Sequence, residues 1–558
     1  MSGVSVKVSD LFLRCLEAEG VRYVFGVPGE ENADVMISLL DSDIEFIICR
    51  HEQGAAFMAD LYGRMTGEPG VCLGTLGPGA TNLITGVANA DMDNSPVVVI
   101  TGQGATTRLH KDSHQAMDVP KMFEPVTKWG ATIWAPQNTT EVVRKAFKLA
   151  RAEHPGATHI ELPEDVAKAD VDDEPIVPGM KVRRPAAEDK AVARAVELIA
   201  AAERPIVLAG HGCVRTRVTT QLNRLIDETG MYVTTTFMAK GAVSDRHPQS
   251  LFAAGLGARD HVIDAFEDAD CVICVGYDFT EWHPDRWNVV GDGGTPKDII
   301  HIDFEPAEVD SAYRPAVEVV GDLANALWQI NESLTAACRD KGTEALARMR
   351  RTLEFEILEE HAMDPGFPVK PQRALHDIRA ELADDDILIS DVGAHKMWTA
   401  RHYPTYEPGT CIISNGFCSM GIALPGAIAA KLVHPDRRVV GLMGDGGFMM
   451  NVQELDTAFQ YGIAPTYVVW DDSAYGLIAW KQEAHFGRTS HTTMRHHDLV
   501  AVAQGFGCHA VRIESTDELR PALTEAFAVT DRPSVVVVPI DYSENMRLTK
   551  RLGQVVAH

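Results

Sequence analysis

Two acidic groups could share a divalent cation here: Asp445, in the run Gly444-Asp445-Gly446-Gly447-Phe448, and the pair Asp471-Asp472. Asp445 follows Arg438-Val439-Val440-Gly441-Leu442-Met443, a short apolar run of the kind that forms a buried parallel strand. It therefore falls at a strand's carboxyl end, where open α/β sheets bind ligands. The flanking glycines let backbone N–H groups come close to phosphate oxygens. A helical stretch, Asn451 to Tyr461, and a second apolar strand, Pro465 to Trp470, deliver Asp472 to the same sheet edge. Magnesium binds through one or two carboxylates plus phosphate oxygens, so the pattern reads as a cradle for a diphosphate and its metal. A tight strand-to-helix turn with two solvated acids is the plainer alternative.

Other runs carry chemistry of the same kind. Arg50-His51-Glu52-Gln53 closes a strand and opens a helix, where a first-turn glutamate also simply favours the helix dipole. Val24-Phe25-Gly26-Val27-Pro28-Gly29 and Leu76-Gly77-Pro78-Gly79-Ala80-Thr81-Asn82 are Gly/Pro loops after strands, each alone an ordinary sharp turn. Asp391-Val392-Gly393-Ala394-His395 is another strand-end loop, and its histidine alone reads equally as surface or core. Ser414-Asn415-Gly416-Phe417-Cys418-Ser419-Met420-Gly421 ends a further strand; methionine is by default a gap-filler of cores.

The elements that must position these groups form three blocks of alternating strands and helices, the pattern of parallel, doubly wound α/β sheets. The expected domains are 1–165, 188–335 and 365–558. Strands are expected in the first block at Tyr23–Val27, Phe46–Arg50, Val71–Leu76, Val97–Thr101 and Thr158–Leu162, with a linker from Pro163 to Ala187. The second block offers Pro205–Ala209, Tyr232–Thr236, Cys271–Val275, Ile299–Phe304 and Val317–Val320. A charged helical stretch, Arg339 to His361, then leads to a connector near Pro365 to Pro371. The third block offers Ile387–Ser390, Cys411–Ser414, Arg438–Met443, Thr466–Trp470, Ala510–Ile513 and Ser534–Ile540. The first and third blocks share a similar plan.

Composition narrows the function classes. The 558 residues suit about three domains on the usual size prior. A formal charge of −28 argues against nucleic acid and anionic membrane surfaces as partners, though not against an anionic cofactor in a locally positive site. Met1 to Gly20 reads as an amphipathic helix with mixed charges rather than a secretory signal. No apolar run approaches the roughly twenty residues needed to span a bilayer. The ten cysteines are scattered singly, which suits reduced thiols and a cytoplasmic location. Cys271 and Cys274 form a CxxC inside a strand, where residues three apart face opposite sides, so core packing is expected rather than zinc.

GDG followed further along by Asn-Asn is the signature of the thiamine-diphosphate-dependent enzymes, which Asp445 with Asp471-Asp472 resembles, Asp-Asp replacing Asn-Asn. The resemblance covers nearly the whole chain and names the blocks as pyrimidine-binding, central and diphosphate-binding domains. It implies metal ligation by Asp445, Asp472 and the carbonyl of Ala474. It implies cofactor contacts at Gly29, Asn82, Gly393, Ala394, His395, Cys418, Met420, Gly444, Gly446, Gly447, Tyr475, Gly476 and Leu477. Ala394 stands where the family's GQH loop has glutamine. Glu52 would be the family's one essential carboxylate, which hydrogen-bonds the aminopyrimidine N1′ and promotes the imino tautomer that deprotonates thiazolium C2. That task suits a partly buried carboxyl able to hold a proton near neutral pH. The Cys418 carbonyl would accept from the 4′-amine, and Met420 would be the apolar wedge that bends the cofactor and brings its reacting atoms together.

Within the superfamily the chain looks most like the acetolactate synthases, particularly the flavin-independent catabolic branch. The matching runs are His114-Gln115-Ala116-Met117-Asp118, Phe123-Glu124-Pro125-Val126-Thr127-Lys128, Val272-Ile273-Cys274-Val275-Gly276-Tyr277, His301-Ile302-Asp303, Val320-Gly321-Asp322 and Asp541-Tyr542. This implies thiamine diphosphate and Mg²⁺ as cofactors, and a carboligase joining two pyruvates into 2-acetolactate with loss of carbon dioxide. Gln115 is then a candidate catalytic residue, and Gln115, Trp480 and Lys481 line the substrate pocket. FAD is not expected, because Asp278-Phe279-Thr280-Glu281-Trp282 lacks both arginines of the flavin-containing synthases' Arg-Phe-Asp-Asp-Arg run. Lys481 replaces the tryptophan of the biosynthetic synthases, Glu30-Glu31 replaces a lysine of the catabolic branch, and Phe417-Cys418 replaces glutamines. These pocket changes keep a 2-keto acid decarboxylase, or a different keto-acid or aldehyde pair, open as alternatives. An oxidase and a non-catalytic homologue are the remaining rivals, and intact Glu52, Asp445 and Asp472 argue against the last. The resemblance also implies a homodimer or homotetramer whose shared site takes Glu52 from one subunit and Asp445 from the other. Covering of the bound intermediate is expected from a helical stretch, Tyr475 to Phe486.

Overall fold

The structure is a computed structural model that describes residues 5–178, 184–215, 218–255, 261–288, 297–360 and 362–545. Three sheets of six parallel strands each, flanked by helices, organise the chain. Their central strands are mostly apolar, as strands covered on both faces tend to be: Ser534–Pro539 (SVVVVP) and Val97–Gln103 (VVVITGQ) are buried at every position.

The first sheet runs Glu45–Ile48, Tyr23–Gly26, Gly70–Gly74, Val97–Gln103, Ala157–Pro163, Trp129–Thr132 across its width. The third runs Cys411–Ile413, Ile387–Ser390, Val439–Gly444, Thr466–Asp471, Ser534–Pro539, His509–Arg512. Numbered by chain order within each block, both are 2-1-3-4-6-5, so the similar plan of these two blocks is one topology used twice. The second sheet runs Ser250–Ala253, Tyr232–Thr235, Pro205–Ala209, Cys271–Val275, Asp298–Asp303, Val317–Val320, which is 3-2-1-4-5-6. In each sheet strand order reverses beside the block's first strand, and that point positions the loops of interest.

Several expectations need correction. The strands Trp129–Thr132 and Ser250–Ala253 carried no clear sequence signal; both are short edge strands, paired on one side only. The expected linker after Pro163 contains a helix, Glu164–Lys168, and a short strand, Asp170–Val171, paired antiparallel with Val6–Lys7. Burial of Val166, Ala167 and Val171 holds that segment down. Helix is found not from Asn451 to Tyr461 but as Asp445–Met450 and Glu454–Gln460. At the break, the Asn451 amide donates to the Gly421 carbonyl at 2.8 Å. The charged helical stretch is Glu344–Leu358, the helix near the start is Val8–Ala18, and His361 and residues 1–4 lie outside the described residues.

The first and third domains share one core. Phe57 and Leu61 of the helix Glu52–Thr66 cluster with Ile422, Leu424 and Ile428 of the segment that includes the helix Ala423–Val433. A Cβ on Gly426 would meet Leu61 Cγ at 2.9 Å, so a glycine lets these helices approach. Each such fully buried aliphatic side chain contributes ~1.5–3 kcal/mol. Cys271 and Cys274 belong to the apolar clusters on opposite faces of the second sheet, as their spacing required. All ten cysteines are free, nine of them buried. Among the described residues no helix is long and apolar enough to cross a membrane.

Candidate functional site

The switch point of the third sheet lies between Ile387–Ser390 and Val439–Gly444, so the loops after these two strands meet. The first loop carries Asp391 to His395 and the second opens the helix Asp445–Met450. A Cβ on Gly447 would meet Asp391 Oδ2 at 2.6 Å, so only glycine allows the loops this approach. Asp391 is fully buried and accepts from the N–H groups of Val392 at 2.6 Å and Gly421 at 2.8 Å. Burial nevertheless raises its carboxyl to about 7. It ties the loop of Gly393 and His395 to the loop of Met420, a role the sequence did not signal.

Thr466–Asp471, the next strand across, brings Asp471 and Asp472 to the same edge. Asp445 Oδ1 accepts from the Gly446 N–H at 2.7 Å. Burial first, then Asp471, raises the Asp445 carboxyl to about 6; burial first, then Asp445, raises Asp472 to about 7. Asp471 differs, because Arg512 Nη1 donates to its Oδ2 at 2.6 Å. That partner accounts for a carboxylate where the family signature has an amide: its charge is balanced from the edge strand. No such cation serves Asp445 and Asp472 among the described residues, and two crowded carboxyls pushed toward neutrality are a site that a dication relieves. Among the described residues no three His, Cys, Asp or Glu side chains cluster as a metal site. What the strand ends bring together is instead two carboxylates, Asp445 and Asp472, with the Ala474 backbone beside Asp472.

The residues present also fit a diphosphate. Gly446 and Gly447 are buried at the start of the helix, and His395 is buried against the position where Gly444 would carry a Cβ, 3.6 Å away. Burial lowers the His395 imidazole to about 3, so it is neutral, and its Nε2 has no hydrogen-bond partner among the described residues. A buried nitrogen left unpaired in this loop leaves one hydrogen bond for a bound group. Gly393 and Ala394 begin the helix Ala394–His402 that carries it.

Cys418 has a left-handed backbone, φ 59°, and Met420 two residues on is only half-buried rather than filling the core. Tyr475 is exposed, Leu477 is half-buried, and the helix Gly476–Phe486 ends at left-handed Gly487. A Cβ on Gly476 would meet Asp472 Oδ2 at 2.7 Å. On this helix Trp480 is buried and Lys481 half-buried. Tyr542, half-buried, lies 3.7 Å from where Gly476 would carry a Cβ and meets Trp470 in a tilted ring pair at 6.1 Å.

The second half of the site lies in the first domain. Glu52 is the first residue of its helix and is buried, and Asn82 Nδ2 donates to its Oε2 at 2.9 Å. At this sheet's own switch point a Cβ on Gly29 would meet Thr75 Cβ at 2.4 Å, and one on Gly77 would meet Gln115 Cβ at 2.9 Å. The fold therefore gathers Gly29, Glu52, Asn82 and Gln115 around the same loops. Glu454 of the third domain accepts the backbone N–H groups of Arg50 and His51 at 3.2 and 3.0 Å, fixing the turn that presents Glu52. No sequence motif marked Glu454. Among the described residues no hydrogen bond joins the Glu52 cluster to the Asp445 cradle within one chain.

Comparison with known proteins matches this two-part arrangement. Residues 6–122 match the thiamine pyrophosphate enzyme N-terminal TPP binding domain, 192–330 the central domain, and 391–538 the C-terminal TPP binding domain. The chain is 33% identical over 545 residues to an acetolactate synthase of Bacillus subtilis, covering 97% of this chain and 94% of that protein. It is 35% identical over 553 residues to a catabolic acetolactate synthase of Raoultella terrigena, covering 98% and 97%. It is also 35% identical over 568 residues to a probable acetolactate synthase large subunit of Methanocaldococcus jannaschii, covering 98% and 94%. With three matching domains in order and likeness over nearly its full length, this chain belongs to the thiamine-diphosphate-dependent enzymes, as an acetolactate synthase-like member with thiamine diphosphate as its cofactor.

Proposed function

We propose that the protein is a magnesium-dependent carboligase that joins two pyruvates into 2-acetolactate with release of carbon dioxide and without flavin. The observation that carries this reading is the third-sheet switch point, where Asp445, Asp472, Gly446, Gly447 and the unpaired His395 Nε2 converge. Asp445, Asp472 and the Ala474 carbonyl hold the metal; the N–H groups of Gly446 and Gly447, with His395, hold the diphosphate. Met420 supports the cofactor from the apolar side, and the Cys418 carbonyl accepts from its amino group. Thiamine diphosphate supplies the carbon centre that adds to a 2-oxo group and takes up the electrons left by carbon dioxide. Glu52, oriented by Asn82, holds and returns the proton at the pyrimidine nitrogen. The helix with Leu477, Trp480 and Lys481 covers the acceptor side and excludes water that would divert the reaction to aldehyde.

The expectation of no flavin rests on the run Asp278 to Trp282, and the described loops of the second sheet pack closely beside it. That sheet's switch point, where a dinucleotide would bind, is closed by loop-on-loop contact: a Cβ on Gly210 would meet the Gly276 carbonyl at 2.3 Å. The cavity between Gly212, Arg215, Gly276 and Glu281 is about 10 Å³, room for one water at most. Purified protein given pyruvate, magnesium and thiamine diphosphate should therefore be colourless and make acetolactate. Acetaldehyde as the product would favour the decarboxylase reading. FAD-dependent activity or acetate would place the protein with the flavin enzymes.

Among the described residues no hydrogen bond joins the two half-sites, which with the family resemblance supports a two-fold dimer, or a pair of such dimers, with Glu52 and Asp445 contributed by different subunits. Co-expressing Glu52→Gln with Asp445→Ala chains should restore activity in hybrid dimers, because one of their two sites is intact. Hybrids that form, shown by differential tags, and stay inactive would refute the shared site.

A further inference from the structure

The loop 414–421 of the third domain is gripped by two first-domain residues that belong to no motif of the site. Asn89 Oδ1 accepts from the Ser414 hydroxyl at 3.1 Å and from the Ser419 N–H at 3.3 Å. Asp93 Oδ1 accepts from the Gly416 N–H at 2.8 Å. Both side chains are fully buried. A Cβ on Gly416 would meet the Met92 carbonyl at 2.6 Å, so the loop lies directly on the end of the helix Pro78–Met92.

The grip is itself held rigid. Asn89 Nδ2 donates to Asp60 Oδ2 at 2.8 Å and to Asp93 Oδ2 at 3.4 Å, and Arg64 pairs with Asp93 at 3.4 Å. A second Arg64 nitrogen donates to the Ile413 carbonyl at 2.7 Å, where the strand Cys411–Ile413 passes into the loop. A buried network satisfied at this many points fixes one arrangement of its members. Asp60 lies about two turns along the helix that begins at Glu52, and Asn89 about two turns beyond Asn82 on its own helix. The frame that presents Glu52 is therefore also the frame that sets this loop.

What the grip holds is an unfavourable backbone. Cys418, at φ 59°, lies between the two gripped N–H groups of Gly416 and Ser419. A non-glycine residue keeps a left-handed conformation only where its surroundings over-determine it. At the loop's other end Gly421 donates its N–H to Asp391 at 2.8 Å and accepts from Asn451 at 2.8 Å. Met420 is thus fixed from both sides.

We propose that Asn89 and Asp93 are positioning residues: from the first domain they set the Cys418 carbonyl and Met420 of the third domain in the posture that bends the cofactor. This rests on the reading above that the loop supports thiamine diphosphate.

The test is the near-ultraviolet circular dichroism of thiamine diphosphate bound with magnesium, read without substrate. The free cofactor is achiral, so a band reports a fixed arrangement of its two rings. Wild type should show that band. Asn89→Leu, which removes the acceptor for Ser414 and Ser419, should still bind the cofactor through the metal and lose most of the band. Its turnover should fall by ~100-fold, the scale of a reacting group displaced by about an ångström. Ser414→Ala deletes one contact from the loop side and should show a smaller loss in the same direction. Asp93→Leu should act like Asn89→Leu, whereas Asp93→Asn keeps an oxygen for the Gly416 N–H and should retain most of the band.

A purely structural role would lower the melting temperature and leave the bound cofactor's band as in wild type, which overturns the proposal. So does a wild type without a band, or a folded Ser414→Ala protein with band and turnover unchanged. Loss of the band in Met420→Ala but not in Asn89→Leu would remove the positioning role and leave the loop's cofactor contact standing. A protein that releases acetaldehyde from pyruvate, with the band lost in Asn89→Leu, would sink the carboligase reading and leave the positioning role standing.

Discussion

Glu52→Gln protein should bind thiamine diphosphate about as tightly as wild type and turn over at least ~100-fold more slowly, the range that loss of a positioned proton-transfer group produces. The substitution is nearly isosteric. The Asn82 amide can still donate to a side-chain oxygen where it now meets Glu52 Oε2 at 2.9 Å, and the backbone donors of Arg50 and His51 still reach Glu454. What disappears is a group that can give up and take back a proton at the pyrimidine nitrogen. Steady-state rates with calorimetric cofactor titration separate the two effects. Near wild-type turnover in the variant would remove Glu52 from the chemistry, and a parallel loss of affinity would make it a binding residue.

Asp445→Ala should weaken cofactor binding by ~100-fold or more, about 2.8 kcal/mol at 1.4 kcal/mol per factor of ten. One of two carboxylates facing the metal is lost, and with it the acceptor for the Gly446 N–H at 2.7 Å. A companion variant, Asp445→Asn, keeps an acceptor oxygen and should fall between the two. Acidity should act on the same equilibrium. In the metal-free protein burial holds Asp445 at about 6 and Asp472 at about 7, both above the ordinary carboxyl range. As the pH falls through 7 and then 6 these groups take up protons that the metal must displace, so cofactor affinity should drop with acid and binding should release protons. Calorimetry in buffers of different ionisation enthalpy measures that release. Unchanged affinity in Asp445→Ala, together with an unchanged magnesium requirement, would count against the cradle.

Much of the architecture is legible in one dimension because strand and helix repeats impose local patterns. Apolar β-branched runs such as Cys271–Val275 and Ser534–Pro539 announce buried parallel strands, and their alternation with helices announces doubly wound sheets. Asp445, Glu52 and the Gly/Pro loops are legible for a related reason: a ligand site at a strand's carboxyl end needs small residues and a charged side chain within a few positions. Edge strands such as Trp129–Thr132 escape that logic, since partners on one side alone demand little of their sequence.

Charge compensation is what the chain order conceals. Arg512 answers Asp471 from a strand 41 positions away, and Glu454 grips Arg50 and His51 across 404 and 403 positions. Lys396 reaches Cys418 Sγ at 3.2 Å only because the helix after one strand lies beside the loop after the neighbouring strand. No local repeat links such residues. The type of each element follows from short-range periodicity and backbone preference, whereas the state of each charge depends on which groups the strand order brings to the same sheet edge, out of water and with or without a partner.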